Sequence, residues 1–417
     1  MAGNLEETLA GVGYAKVIVA LKPTLAAASS KAALEQHFMI PSEPQMESLM
    51  AVAARSASKR SGHPRPLEEH KMRVYPHLGL ALGFVDRSGA NALAASNQVE
   101  QVVEAPELSL IRPFARRSAR LAAAPTWGIK RLKVDKLWAQ NIKGKGVIVG
   151  HLDTGIDGTH PALKDAIAAF AEFDLAGDQV PGARPTDSDE HGTHTAGTIV
   201  GRSVPKGAFG VAPEAKVASA MVIEGGQVID RILAGMDWVI GEGAQILSMS
   251  LGLRGFTPAF QTVVTALRNA NVLPVIAVGN EGPNTSRSPG NYDTVLAVGA
   301  MDASDEVADF SGSQRFNRPG DPLVPDLVAP GVDVLSCVPN DRYAKMDGSS
   351  MATPHVAGVA ALLLSAEPAA TADQLEQAIL GSCVRPSSML ERRGNRGVPD
   401  AVAALEILRS SRLRAVA

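Results

Sequence analysis

The chain is poor in cysteine and aromatics, has no long apolar run, and carries no surplus of positive charge. Each shortage removes a class of protein. Two cysteines, Cys337 and Cys383, in 417 residues cannot make a disulfide framework. The fold must therefore rest on a buried core, and a reducing compartment is tolerated; the sequence leaves open whether the two thiols pair. The longest apolar stretch, Val356 to Leu364, is too short to cross a bilayer, so no membrane partner is expected. A formal net charge of −3 gives nucleic acid no reason to bind. The His-Glu-x-x-His spacing and clustered cysteines that hold zinc are missing. Although His191 and His194 are three apart, and His151 and His160 flank Asp153, no metal ligands are assigned. His160, His194 and His355 read as buried structural histidines, and Asp157 and Asp189 as solvated turn carboxylates. Met1 to Leu9 carries Glu6 and Glu7 and no basic residue, unlike a secretory leader. A cytoplasmic location or export by another route is the expectation, or secretion if a leader has been trimmed.

What is present is core and small residues. Apolar residues make up 45% of the chain and aromatics only 4%, with 39 glycines, a mix suited to close helix–sheet packing. The length allows one large domain with an appendage.

Three segments carry chemistry. The β-branched run Val147-Ile148-Val149-Gly150-His151-Leu152 ends in Asp153-Thr154-Gly155. It reads as a buried parallel strand delivering a carboxylate at its C-terminal end, where open α/β sheets place their sites. In Asp189-Glu190-His191-Gly192-Thr193-His194 a histidine opens a helix of small residues. In Gly348-Ser349-Ser350-Met351-Ala352-Thr353-Pro354 a serine stands at a Gly/Ser turn ahead of a long apolar helix. Free N–H groups and the helix dipole there favour developing negative charge. Asp, His and Ser, each at an element terminus, make an orienter, a base and a nucleophile.

Together with Ser250-Leu251-Gly252 and Gly279-Asn280-Glu281-Gly282, these motifs resemble those of subtilisin-type serine proteases, from about Trp127 to about Leu380. Ser349 is a small departure, since the family usually has threonine there. The resemblance implies a serine endopeptidase acting on polypeptides. Asp153, His191 and Ser350 would be catalytic, with Asn280 and the Ser350 backbone N–H as the oxyanion donors. Ser250, Leu251 and Gly252 would form an edge for extended substrate, and Gly279, Glu281 and Arg287 would lie about the primary specificity pocket. Arg287 is expected near its floor, tilting preference toward acidic or polar side chains, with Glu281 offsetting it at the rim. A catalytically silent binding protein, a peptide ligase on the same scaffold, and a metallohydrolase are the alternatives. No cofactor is expected. Many relatives hold calcium near the mature N-terminus, but the matching positions are Ala123, Ala162 and Val204, which carry no side-chain oxygen. That site is expected to be missing, with other weak calcium sites left open.

The organisation expected is a doubly wound α/β parallel sheet over residues 127–417, preceded by a small α+β ferredoxin-like module over residues 1–112. In the module, Tyr14–Leu21, Leu78–Val85 and Val99–Val103 read as strands. Ser30–Phe38, Pro44–Ala57 and Gly89–Ala95 read as helices, and Ser56–Pro66 as a loop. Its last two strands are similar to those of subtilisin-type propeptides, which implies an intramolecular chaperone and inhibitor whose tail lies in the substrate cleft. Residues 113–126 read as an irregular linker with the maturation site between Ile111 and Ala124. Basic residues from Arg112, Arg116 and Arg117 through Lys136 belong to that exposed stretch. A monomer is expected.

Overall fold

A computed structural model describes residues 3–22, 32–42, 71–121, 124–203, 207–223 and 228–416. At its centre is a seven-stranded sheet in the order β17-β14-β12-β10-β7-β9-β8, with every neighbouring pair parallel. The strands are β7 (Ile148–Asp153), β8 (Ile167–Glu172), β9 (Lys216–Met221), β10 (Ile246–Met249), β12 (Leu273–Ala277), β14 (Leu296–Met301) and β17 (Leu327–Pro330). Apart from β8 at the edge, where only Ala171 is buried, these runs are buried along nearly their whole length, as expected of strands covered on both faces. From β7 the chain builds β8 and β9 on one side, then crosses to β10 on the other. The order therefore reverses between β7 and β10, where an open α/β sheet leaves a crevice at its carboxyl edge.

The helix Ser349–Ala366 runs through the core, with Ser349 to Leu364 all buried. By length and composition alone it could cross a membrane, yet 89% of it is buried inside the fold. Burial on all sides accounts for its uniform apolarity.

An antiparallel sheet precedes this layer, ordered β2-β3-β1-β4: β1 (Tyr14–Leu21), β2 (Met72–Tyr75), β3 (Leu80–Asp86) and β4 (Val99–Glu104). Its two faces have different partners. Val17 and Val19 pack with Leu5, Leu9, Ala90 and Leu93 from its own helices, Gly3–Gly11 and Arg87–Ala95. Ile18, Ala20, Leu80 and Leu82 instead join Ile232, Leu233 and Met236 of the helix Ile229–Gly241. The period-two alternation of β1 thus serves two cores. Polar contacts frame this interface. Lys16 pairs with Asp230, Arg73 with Asp178 at 2.7 Å, and Asp237 accepts from the backbone N–H of His77 and Leu78.

The strands expected at Tyr14, Leu78 and Val99 are present within two residues, whereas β2 and the first helix carried too weak a pattern to be read. Residues 32–35 are helical; the helix read at Pro44–Ala57 and the loop at Ser56–Pro66 lie outside the described residues. Part of the stretch read as an irregular linker is regular. Ala115–Ala119 forms strand β6, because an edge strand on the protein surface needs no apolar face to be held.

Candidate active site

Asp153 ends β7 and His191 begins the helix His191–Val200. Two glycines let these elements meet. Gly155 turns the chain at φ +118°, and a Cβ at Gly192 would stand 2.1 Å from the Gly155 carbonyl oxygen. His191 Nδ1 lies 2.7 Å from Asp153 Oδ1. A carboxylate only accepts, so Nδ1 carries the proton and Nε2 holds the free lone pair. Both side chains are 2% exposed. Burial pulls the His191 pKa down, but attraction to Asp153, their hydrogen bond, and the charges of Asp187 and Asp189 outweigh it and leave the pKa raised. Burial pushes Asp153 up, yet His191, His151 and the Thr154 N–H bring it below the usual carboxylate range.

Beneath the pair is a polar network that sequence reading missed. Asp153 Oδ2 accepts from Thr195 Oγ1 at 3.1 Å. His151 bridges Thr195 Oγ1 at 2.9 Å and Ser219 Oγ at 3.0 Å. Burial drives His151 down to about 4, so it sits there neutral. Asp187 gathers Thr154 Oγ1, the Asp189 N–H, and both the N–H and Oγ1 of Thr193. Burial raises it to about 6. The signal for this set was the run of threonines and carboxylates around the two motifs, but only the fold brings residues 151, 187, 195 and 219 together.

Ser350 is the second residue of its helix and is fully buried. Its Oγ donates to the Ile111 carbonyl at 2.6 Å. His191 Nε2 is buried with no hydrogen-bond partner among the described residues. Asn280 follows Gly279, which turns at φ +115°. Asn280 Oδ1 accepts from both the N–H and the Oγ of Ser349, at 2.8 Å each. Because one of those donors is a backbone N–H, the amide orientation is fixed, and Nδ2 points outward to the Arg112 carbonyl at 2.9 Å. Serine therefore does here what an orienting threonine hydroxyl would do.

The chain's own segment 109–119 lies across these groups and adds an edge strand on each side. β5 (Ser109–Leu110) pairs antiparallel with β11 (Leu251–Arg254), placing Leu110 opposite Leu251 and Ser109 opposite Gly252. The Ile111 N–H reaches the Ser250 carbonyl at 2.9 Å. β6 pairs antiparallel with β19 (Arg342–Asp347), itself hydrogen-bonded to β18 (Val334–Val338). Arg116 binds Glu190 through two nitrogens, at 2.5 and 2.8 Å. Arg117 binds Asp333 and Asp347 at 2.6 and 2.7 Å.

Arg287 corrects an expectation. It lies on β13 (Arg287–Ser288) beside β11 and is 7% exposed. Its guanidinium is bound by Glu281 through two nitrogens, and Nη1 donates to Ser109 Oγ and to the Gly252 carbonyl. Arg254 shares Glu281 at 3.3 Å. Burial raises the Glu281 pKa, but the arginines outweigh it and keep the acid ionised. Glu281 is thus the counter-ion of Arg287 rather than a partial offset at the rim, and Arg287 holds no free charge for an acidic substrate side chain.

The remaining histidines have structural partners. His194 Nε2 lies 3.0 Å from the Val334 carbonyl, His160 Nε2 3.3 Å from that of Arg342, and His355 Nδ1 2.8 Å from that of Met351. Asp157 caps its turn through Thr159 and the Asn340 N–H. Cys337 and Cys383 are both free thiols.

The sequence pattern of the Subtilase family matches residues 144–401. The major intracellular serine protease of Bacillus subtilis (strain 168) is 38% identical over 251 residues, spanning 58% of this chain and 75% of its own. Subtilisin DY of Bacillus licheniformis is 36% identical over 255 residues, 60% of this chain and 88% of its own. Subtilisin BL of Lederbergia lenta is 38% identical over 250 residues, 59% and 87% respectively.

Proposed function

The chain belongs to the subtilase family and is a serine-type endopeptidase, and from that premise we propose that Asp153, His191 and Ser350 carry the reaction and that the chain is made as a self-inhibited zymogen. The observation that carries the proposal is the 2.7 Å His191–Asp153 pair standing at the sheet crevice with Ser350 at the adjoining helix start.

In the proposed reaction, His191 Nε2 takes the Ser350 Oγ proton as Oγ bonds to the scissile carbonyl carbon. Asp153 orients the ring and stabilises its charged form. The carbonyl oxygen, now an anion, is held by Asn280 Nδ2 and the Ser350 N–H. His191 then passes the proton to the leaving amine, the C–N bond breaks, and a water molecule repeats the cycle on the acyl-enzyme. Loss of the Asn280 amide is expected to cost about 10²–10³ in kcat. Substrate residues before the cut would pair with β11 in the manner of β5, next to Ser250, Leu251 and Gly252.

Support for the zymogen comes from residues 109–113. Ser350 Oγ is engaged by the Ile111 carbonyl oxygen, while Asn280 faces the carbonyl of the next residue, Arg112. The two groups that must act on one carbonyl are divided between two. The following residue, Pro113, brings no N–H to the backbone. In this reading residues 1–112 act as inhibitor and folding aid, and cleavage falls between Ile111 and Ala124. We further propose a monomer without the family-type calcium. Ala162 is buried in the core and offers no side-chain oxygen, and Ala123 and Val204 lie outside the described residues.

Intact masses of wild type and Ser350→Ala, purified side by side, test the proposal. A wild type cut between Ile111 and Ala124 beside a whole mutant supports self-processing. Equal cleavage in both assigns it to another protease and overturns the role of Ser350 in maturation.

A further inference from the structure

β19 would be an edge strand without β6, since only β18 pairs with its other side. Its backbone groups would stand ready to receive an extended peptide. Beyond Ile111 the chain docks by this edge, starting with the Phe114 N–H on the Asp347 carbonyl at 2.7 Å. Residues Ala115 to Ala119 then follow in unbroken register, opposite Asp347 to Tyr343.

Successive strand residues point to opposite faces, and here both faces meet carboxylates. Arg116 reaches Glu190, the residue directly before His191, in a two-nitrogen clamp. Arg117 reaches Asp333 and Asp347 on the other side, where Asp347 also accepts from the Asp333 N–H at 2.8 Å. Apolar contact contributes little, because Arg116 to Ser118 are exposed and no β6 residue is buried. The edge thus reads two consecutive basic residues by charge.

We propose that this edge, with Glu190 on one face and Asp333 and Asp347 on the other, is a substrate-binding site for the peptide on the C-terminal side of the cut. It favours extended substrates carrying arginine or lysine five and six residues beyond the bond, the spacing of Arg116 and Arg117 from Ile111. The chain's own segment occupies it in the uncut protein. The proposal rests on the endopeptidase reading above, with peptide crossing the site in the direction of segment 109–119.

Two sets of internally quenched peptides test it, sharing one cleavable core and differing only at those two positions, Arg-Arg against Ala-Ala. With the activated enzyme, Arg-Arg is expected to exceed Ala-Ala in kcat/KM by roughly tenfold, mainly through KM. That ratio should fall in Glu190→Gln/Asp333→Asn, where Asp347 alone remains, and should fall in high salt. Equal cleavage of both peptides, or a ratio unchanged in the double variant, overturns the site and leaves the peptidase reading intact. A second measurement needs no catalysis. In full-length Ser350→Ala, excess Arg-Arg peptide should displace β6 and speed amide exchange at residues 115–119, while Ala-Ala should not. Displacement without cleavage of any peptide by the activated enzyme would uphold the site and count against the peptidase assignment. Failure of Arg-Arg to displace β6 would overturn the site.

Discussion

Residues 108–119 are held in two different ways on the two sides of Ser350. On the N-terminal side the hold is apolar. Leu108, Leu110 and Ile111 are 6%, 8% and 0% exposed, and Leu108 and Leu110 belong to the same core cluster as Leu251 and Met249. On the C-terminal side, past the exposed Phe114 stacked on Phe310 with ring centroids 4.9 Å apart, it is mainly ionic, with no buried residue in β6 and two arginines on three carboxylates. Burying a large aliphatic side chain contributes about 1.5–3 kcal/mol, whereas a solvent-exposed ion pair contributes about 0.2–1 kcal/mol. The first half is therefore the durable anchor, and the second is the half that salt or a competing basic peptide dislodges first. The same contrast separates two tasks. In the proposed reading, backbone pairing beside β11 aligns a peptide with Ser350, and charge beside β19 selects which peptide continues past it.

The largest expected effect concerns whether the halves ever part. Ser350→Ala should lower kcat by about 10⁶, a magnitude general to such triads, and leave both halves in place. Hydrolysis of a quenched peptide by the mutant at near the wild-type rate would remove the nucleophile assignment. Next, Leu110→Asp placed in full-length Ser350→Ala buries a carboxylate in the durable half. Amide exchange at residues 109–111 should rise by about 100-fold, and a rise confined to residues 115–119 would reverse the ranking of the two anchors.

The rate on a neutral peptide that reaches only the first half should follow His191 alone. The base acts when neutral, and its pKa is raised. Activity should therefore be lost at low pH and climb toward its plateau above the ordinary imidazole value of about 6.5, changing about tenfold per pH unit on the acid limb. A flat profile from pH 5 to 8 would count against His191. Smallest is the response to salt. Raising sodium chloride from 0.05 to 0.5 M should speed exchange in β6 by about two- to fivefold and leave β5 unchanged. Equal acceleration of both strands would erase the distinction.

Much of this was legible in the chain. Asp153, His191, Ser350 and Asn280 announce themselves because each sits where a periodic pattern stops, at a strand end or a helix start, within two residues of a glycine. The central strands were readable because parallel strands covered on both faces are continuous apolar runs. Three features were not legible. Asp187 was not singled out, and His151 only as a neighbour of Asp153, since only the fold joins them to Thr154, Thr195 and Ser219. Arg287 looked like a free charge in a pocket, because nothing in its spacing from Glu281 says that the loop folds back to pair them. β6 looked like a linker because backbone pairing and charge can hold an edge strand without any apolar face, and charge leaves no period to read.

Local pattern by itself determined the elements and the chemical groups at their ends, because hydrophobic period and terminus chemistry act over a few residues. The tertiary structure alone decided which carbonyl faces Ser350, what neutralises Arg287, and that one segment bridges two separate sheet edges. Those outcomes depend on contacts that local pattern does not reveal, between residues 239 positions apart for Ile111 and Ser350 and only six apart for Glu281 and Arg287, and only packing of the whole chain fixes them.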